Sequence, residues 1–140
     1  MQNDFYKRIG GHRTLERVHK VFYDKVYEDP WMAEFFKDTP QNVIEKQQSD
    51  FMGMHFGGPP IYRGSTPKAA HIHMYITREM ILHRARVLHS SIQECGLSKE
   101  IADEWLFYER KFYATIAKES IGECQKKAEG QEIIVVKKPE

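Results

Sequence analysis

Seven histidines stand in the chain, at positions 12, 19, 55, 71, 73, 83 and 89. Imidazole binds transition metals and changes charge near neutral pH, so these residues are the first candidates for chemistry. Most histidines in an ordinary chain are surface or satisfied residues, and position singles out His71. It comes just after a Thr66-Pro67 pair, which is a helix-start signal, and is followed by the run IHMYIT. His73 lies two residues on, which on a helix is roughly the opposite side, so only one of the two can face a given pocket. Met74 and Ile76 are expected to pack the floor around His71. A second metal reading starts from Glu16-x-x-His19, whose i, i+3 spacing is that of di-iron helical bundles. Such a centre needs a second Glu-x-x-His and more carboxylates, and Glu79 with His83 is spaced i, i+4 and does not complete the set. A helical protein with a bare metal centre stands as an alternative.

Helices must position these side chains. Asp29-Pro30, Thr39-Pro40 and Thr66-Pro67 each combine a capping residue with a proline suited to a first helical turn, and predict three helix starts. Thr77 predicts a fourth, with Glu79 placed well for the helix dipole. Leu15, Val18, Phe22 and Val26 line one face of a helix over about residues 12–27. Ile44, Gln48, Phe51 and His55 share a face of the helix after Pro40. Ile81, Arg84, Leu88 and Ile92 share one of the next long helix, and Ile101, Trp105, Tyr108, Phe112 and Ile116 of the last. Gly96 is expected to end the third long helix in a left-handed cap, and Ser98 to begin the next. Gly10-Gly11 separates a very short first helix from the second, and the Gly57–Pro67 loop is dense in glycine and proline. The IIVV run at 133–136 lies in a polar, Lys-rich tail where a lone strand has no evident partner. The tail is therefore expected to be irregular.

The 140 residues fit one domain. With 21 basic and 20 acidic side chains, the formal net charge of +1 supplies no basic field for nucleic acid. No apolar run approaches a membrane span, and MQNDFYKRIG has no signal-peptide pattern. Cys95 and Cys124, with no CxxC, are then expected as reduced thiols in a cytoplasmic protein. The fold class is all-α.

Five pieces of the chain, in order, resemble the truncated haemoglobins: IGG at 9–11, FYDKV at 22–26 with the DP at 29–30, MAEFF at 32–36, KQQSDFMGMHFGGPPIYRG at 46–64, and AAHIHMYIT at 69–77. The distal-helix Gln and the Gly-Gly-Pro before the histidine are most similar to group I. The resemblance implies a shortened globin, a 2-on-2 helical sandwich around haem b, spanning residues 1–122 with a polar C-terminal tail at 123–140. It makes His71 the iron ligand and Phe36 the ring packed on the haem face. Tyr23 and Gln48 become the ligand-facing donors, and Ile44 lies near the ligand. Met74, Ile76 and Ile81 line the cavity.

Arg84 departs from the pattern, because the family usually has an apolar residue there, or Trp in another group. Its guanidinium either snorkels to the surface or reaches a haem propionate or the distal ligand. Arg63 and Lys46 are further propionate candidates. No distal histidine is evident, since position 44 is Ile and position 47 is Gln, so an open or water-bound sixth site is expected in the resting protein. The implied function is reversible binding of O2, and also NO or CO. NO dioxygenation would need an external reductase, and peroxidase-like activity is neither supported nor excluded. The alternatives are a haem-based gas sensor or binding module, and the non-haem metal protein described above.

Overall fold

The computed structural model describes residues 4–126 and 131–139. The chain opens with the short helix α1 (Phe5–Ile9) and turns at once into α2 (Gly11–Glu28). Gly10 makes the turn at φ +104°, in the left-handed region open to glycine, and a Cβ there would lie 2.6 Å from Thr14 Oγ1. Both facts require glycine. The apolar stripe of α2 is buried as its spacing predicts, with Leu15, Val18, Phe22 and Val26 all in the core, joined by His19 and Tyr23.

α3 (Gln41–His55) packs along α2 in the most extensive helix contact of the molecule. α4 (Pro67–His71) is a single turn, α5 (Arg78–Glu94) packs on α2 as well, and α6 (Lys99–Glu109) packs on α5. Three caps form where the sequence places them. Thr66 Oγ1 accepts from Ala69 N–H at 3.2 Å, Thr77 Oγ1 from Met80 N–H at 3.2 Å, and Ser98 Oγ from Ile101 N–H at 3.1 Å. Gly96 ends α5 at φ +86°.

Three expectations need correction. Asp29-Pro30 starts no α-helix. Asp29 Oδ1 instead accepts the N–H groups of Trp31 (2.8 Å) and Met32 (3.0 Å), and this side-chain turn leads into the 3-10 segment Ala33–Phe36. Thr39 does not cap α3. Pro40 itself takes the cap position in an extended conformation, and its carbonyl accepts from Val43 and Ile44. The last helical face is not continuous to residue 116. After Glu109 the chain tightens into a 3-10 turn (Arg110–Phe112) and resumes as α7 (Tyr113–Ile116).

The main core gathers Phe5, Phe56 and Trp105 edge to face, with Phe5–Phe56 centroids 4.7 Å apart and Phe56–Trp105 5.1 Å apart. A second cluster holds Trp31, Phe35 and Met80, with Met74, Ile76, Ile134 and Val136 packed on it. Phe36 touches both clusters. The tail expectation also changes here, because the IIVV run does have a partner. Ile134 forms a parallel bridge with Met74, and its side chain lands on the second cluster. Among the described residues no helix is long and apolar enough to cross a membrane.

Candidate functional site

Proline and threonine start α4, and the helix ends at its fifth residue, His71. That single turn fixes the imidazole. His71 Nδ1 lies 2.6 Å from the Pro67 carbonyl, one turn back. A carbonyl can only accept, so Nδ1 carries the proton and Nε2 carries the lone pair. Burial pulls the His71 pKa down to about 4 against the opposing pull of that hydrogen bond, and Arg84 and Lys118 act in the same direction as burial. At neutral pH the ring is a neutral donor with its orientation set by the backbone, the usual arrangement for a histidine that ligates a metal.

The resemblance assigns the opposite side to α2 and α3. Tyr23 is 3% exposed, with its ring 5.8 Å from that of Phe36. Burial raises its pKa to about 12, with Arg84 opposing, so it is a phenol and an O–H donor. Ile44 packs against the same cluster, and Gln48 follows one turn later on α3, half-buried. Met74 and Ile76 join Phe36 through the second cluster, and Ile81 is buried on α5. The structure thus brings Tyr23, Phe36, Ile44, Met74 and Ile76 into two clusters that share Phe36.

Arg84 does not snorkel. Its Nη1 donates to Glu109 Oε2 at 2.8 Å, and its guanidinium lies 5.0 Å from the centre of the Phe22 ring. Burial works to lower its pKa, but Glu109 and Tyr23 more than offset this and the net shift is upward. Its charge pulls down the pKa of both Tyr23 and His71. The other candidate cations are engaged elsewhere. Arg63 is exposed and donates to the Pro60 and Tyr62 carbonyls at 3.0 and 3.2 Å, and Lys46 pairs with Asp50 at 2.6 Å.

Two residues enter the site that sequence reasoning missed. Glu109 is 3% exposed, and its Oε1 is buried without a hydrogen-bond partner. Its only signal was a carboxylate one turn after Trp105 on an apolar face. Lys118 donates its ammonium to the carbonyls of His71 (2.8 Å) and Met74 (2.7 Å), and nothing local in the sequence points to this. The di-iron pattern fails on geometry, because Glu16 is exposed whereas His19 is buried. Among the described residues no group of three or more His, Cys, Asp or Glu is arranged around a common metal position. One neutral imidazole, a ring-lined apolar surround and a buried phenol fit a haem iron, whose porphyrin supplies the remaining ligands.

Comparison with known proteins agrees. The family model for bacterial-like globins matches residues 4–118. A group 1 truncated hemoglobin, GlbN, of Mycolicibacterium paratuberculosis is 34% identical over 101 residues, covering 72% of this chain and 74% of that protein. The crystal structure of Tetrahymena pyriformis truncated hemoglobin in its Fe(III) form superposes with a TM-score of 0.76 at 26% identity, covering 81% of this chain and 97% of that one. The cyanomet 2/2 hemoglobin of a Synechococcus species, with covalently attached heme, gives a TM-score of 0.74 at 25% identity, covering 80% of this chain and 96% of that one. The helices set around His71 are therefore a 2-on-2 globin sandwich built for haem b, and the chain belongs to the bacterial-like globins, among the truncated haemoglobins of group 1.

Proposed function

We propose that this globin binds O2 reversibly at a haem iron held by His71, with Tyr23 and Gln48 as donors to the bound ligand. Haem supplies an iron that takes a diatomic molecule at its open sixth position. The protein supplies the rest. The Pro67 carbonyl holds the His71 tautomer, and Phe36, Met74, Ile76 and Ile81 form the apolar surround that keeps water away. The reading rests above all on the His71 Nδ1 to Pro67 contact of 2.6 Å, which leaves Nε2 as the donor atom.

Iron-bound O2 carries partial negative charge, and a neutral phenol O–H hydrogen-bonds to it with charge assistance worth about 1.5–3 kcal/mol. Tyr23 meets the requirement because burial keeps it protonated far above neutral pH. Slow O2 release follows, and slow release suits chemistry on the bound ligand better than delivery. NO dioxygenation to nitrate is therefore the enzymatic role we assign. It requires a one-electron reductase to restore the ferrous iron, and we assign that role to an external partner. NO and CO are the other expected ligands.

The test is stopped-flow O2 dissociation in Tyr23→Phe and Gln48→Leu, together with NO consumption under a reductase system. Loss of the Tyr23 hydroxyl is expected to speed O2 release by roughly tenfold to a hundredfold. Unchanged release in both variants would remove Tyr23 and Gln48 from the ligand site, and NO turnover no faster than that of free haem would remove the dioxygenase role.

A further inference from the structure

Beyond α4, the five residues from Ile72 to Ile76 run as a turn and an extended segment whose backbone groups, with the His71 carbonyl, need partners outside a helix. Two bonds close locally, from Met74 N–H to His71 O at 2.9 Å and from Ile76 N–H to Met74 O at 3.1 Å, and the others come from the far end of the chain. The Lys118 ammonium takes the carbonyls of His71 (2.8 Å) and Met74 (2.7 Å), with a longer contact to Ile116 O at 3.3 Å. The Lys118 backbone N–H donates to Ile76 O at 2.8 Å, and Gln125 N–H donates to Ile72 O at 2.9 Å. Ile134 N–H donates to His73 O at 2.9 Å, and Tyr75 N–H returns a bond to Ile134 O at 2.8 Å. The carbonyls of His71, Ile72, His73, Met74 and Ile76 are all taken in this way. The side chains of Ile134 and Val136 pack on the cluster that holds Met74 and Ile76.

We infer that residues 118–126 and 131–136 contain a clasp that positions the iron-ligating histidine, with Lys118 and Ile134 as its two positioning residues. Three observations converge. A lysine only 8% exposed, with its ammonium between two carbonyls, is costly to bury unless those bonds form. The carbonyl it grips at one end belongs to His71 itself, so the grip joins the Met74 N–H in holding the last turn of α4 and hence the projection of the imidazole. The match to the globin family model ends at Lys118, so Gln125 and Ile134 lie beyond the part of the chain that it describes. The apolar pair Ile134 and Val136 anchors the clasp, and the exposed Val135 between them plays no part. Hydrogen bonds from a charged donor are the strong class, so losing the ammonium loosens His71 more than losing a neutral bond would.

The inference rests on the haem reading of His71, and its test separates the two. Lys118→Met, Lys118→Arg, Ile134→Pro and the control Val135→Ser are compared in the haem-loaded protein. The Pro variant removes the N–H that bonds to His73 O. Three quantities are read: haem transfer to excess apomyoglobin, the iron–histidine stretching band of the ferrous protein, and hydrogen exchange of the Tyr75 amide in the haem-free protein. Haem transfer is expected to be about tenfold faster in Lys118→Met and in Ile134→Pro. The stretching band should move in both, and Tyr75 exchange should accelerate in Ile134→Pro. Lys118→Arg should restore the band, and Val135→Ser should match the parent. If Lys118→Met does not fold, Ile134→Pro and Lys118→Arg decide. A stretching band unmoved in every folded variant, with unchanged haem transfer, overturns the clasp. A parent protein that takes up no haem overturns the underlying reading instead.

Discussion

The ion pair of Arg84 with Glu109 concentrates the unusual chemistry of this site in two side chains. Each would be expensive alone. Arg84 is one-quarter exposed and Glu109 almost wholly buried, at 28% and 4% of their side-chain surfaces. Breaking such a pair leaves a charge in low dielectric, whereas replacing both partners with apolar groups removes the problem. Glu109→Leu, which strands Arg84 beside Tyr23, is therefore expected to destabilise the fold by about 3 kcal/mol, the lower end of the usual range because Arg84 keeps some water. The double variant Arg84→Leu/Glu109→Leu should lie within about 1 kcal/mol of the parent. Denaturant unfolding of the four proteins measures the coupling, and additive losses would mean that the two charges do not depend on each other. Arg84→Leu also tests the role the sequence raised. A haem retention and ligand off-rate identical to the parent would take Arg84 out of the ligand and propionate contacts. Sequence showed that Arg84 was out of place, but not how its charge is met, because the answering carboxylate lies 25 residues away on another helix.

At the scale of elements, what could be read from sequence was what is decided locally. The threonine caps at 66 and 77 and the serine cap at 98 form because a side-chain oxygen meets an amide three residues on, a relation visible in the spacing. The buried stripe of α2 follows from a 3.6-residue period. Several of the failures are cases in which a distant partner or a competing turn decided. Asp29 carries the signature of a helix cap, but its carboxylate closes a turn, and its other oxygen meets His83 Nε2 at 2.7 Å across the molecule. The 133–136 run looks partnerless in sequence because its partner, Met74, is some sixty residues away. Lys118 likewise meets carbonyls 44 and 47 residues earlier. His71 itself was legible because Thr66, Pro67 and the length of one helical turn place it, and the resemblance to a known family gave that position its meaning.

For the molecule as a whole, stability should depend on pH through the buried imidazole at the centre of α2. His19 is fully buried, its Nδ1 lies 2.8 Å from Ser49 Oγ, and its ring stands 6.0 Å from that of Trp105. Burial, with help from the Arg84 charge, lowers its pKa from 6.5 to about 3. The folded state therefore favours the neutral ring. Its contribution is fully present above the unfolded pKa of 6.5 and is lost as the pH falls from there toward 3, where the unfolded chain holds the extra proton. At about 1.4 kcal/mol per unit, the loss is on the order of 5 kcal/mol across that window. His19→Gln, which keeps a partner for Ser49, should flatten the slope of unfolding free energy between pH 6.5 and 4, and an unchanged slope would mean that His19 does not govern it. The measurement that bears most directly on the whole account is the visible absorption spectrum of the purified protein and of His71→Ala, each as isolated, after dithionite and after CO. Haem held by His71 gives a strong Soret band in the parent that shifts on reduction and again with CO, and a weak or absent band in the variant. An equal band and CO shift in His71→Ala would show that another residue holds the iron, and a parent that stays colourless with added haem would contradict the haem site itself.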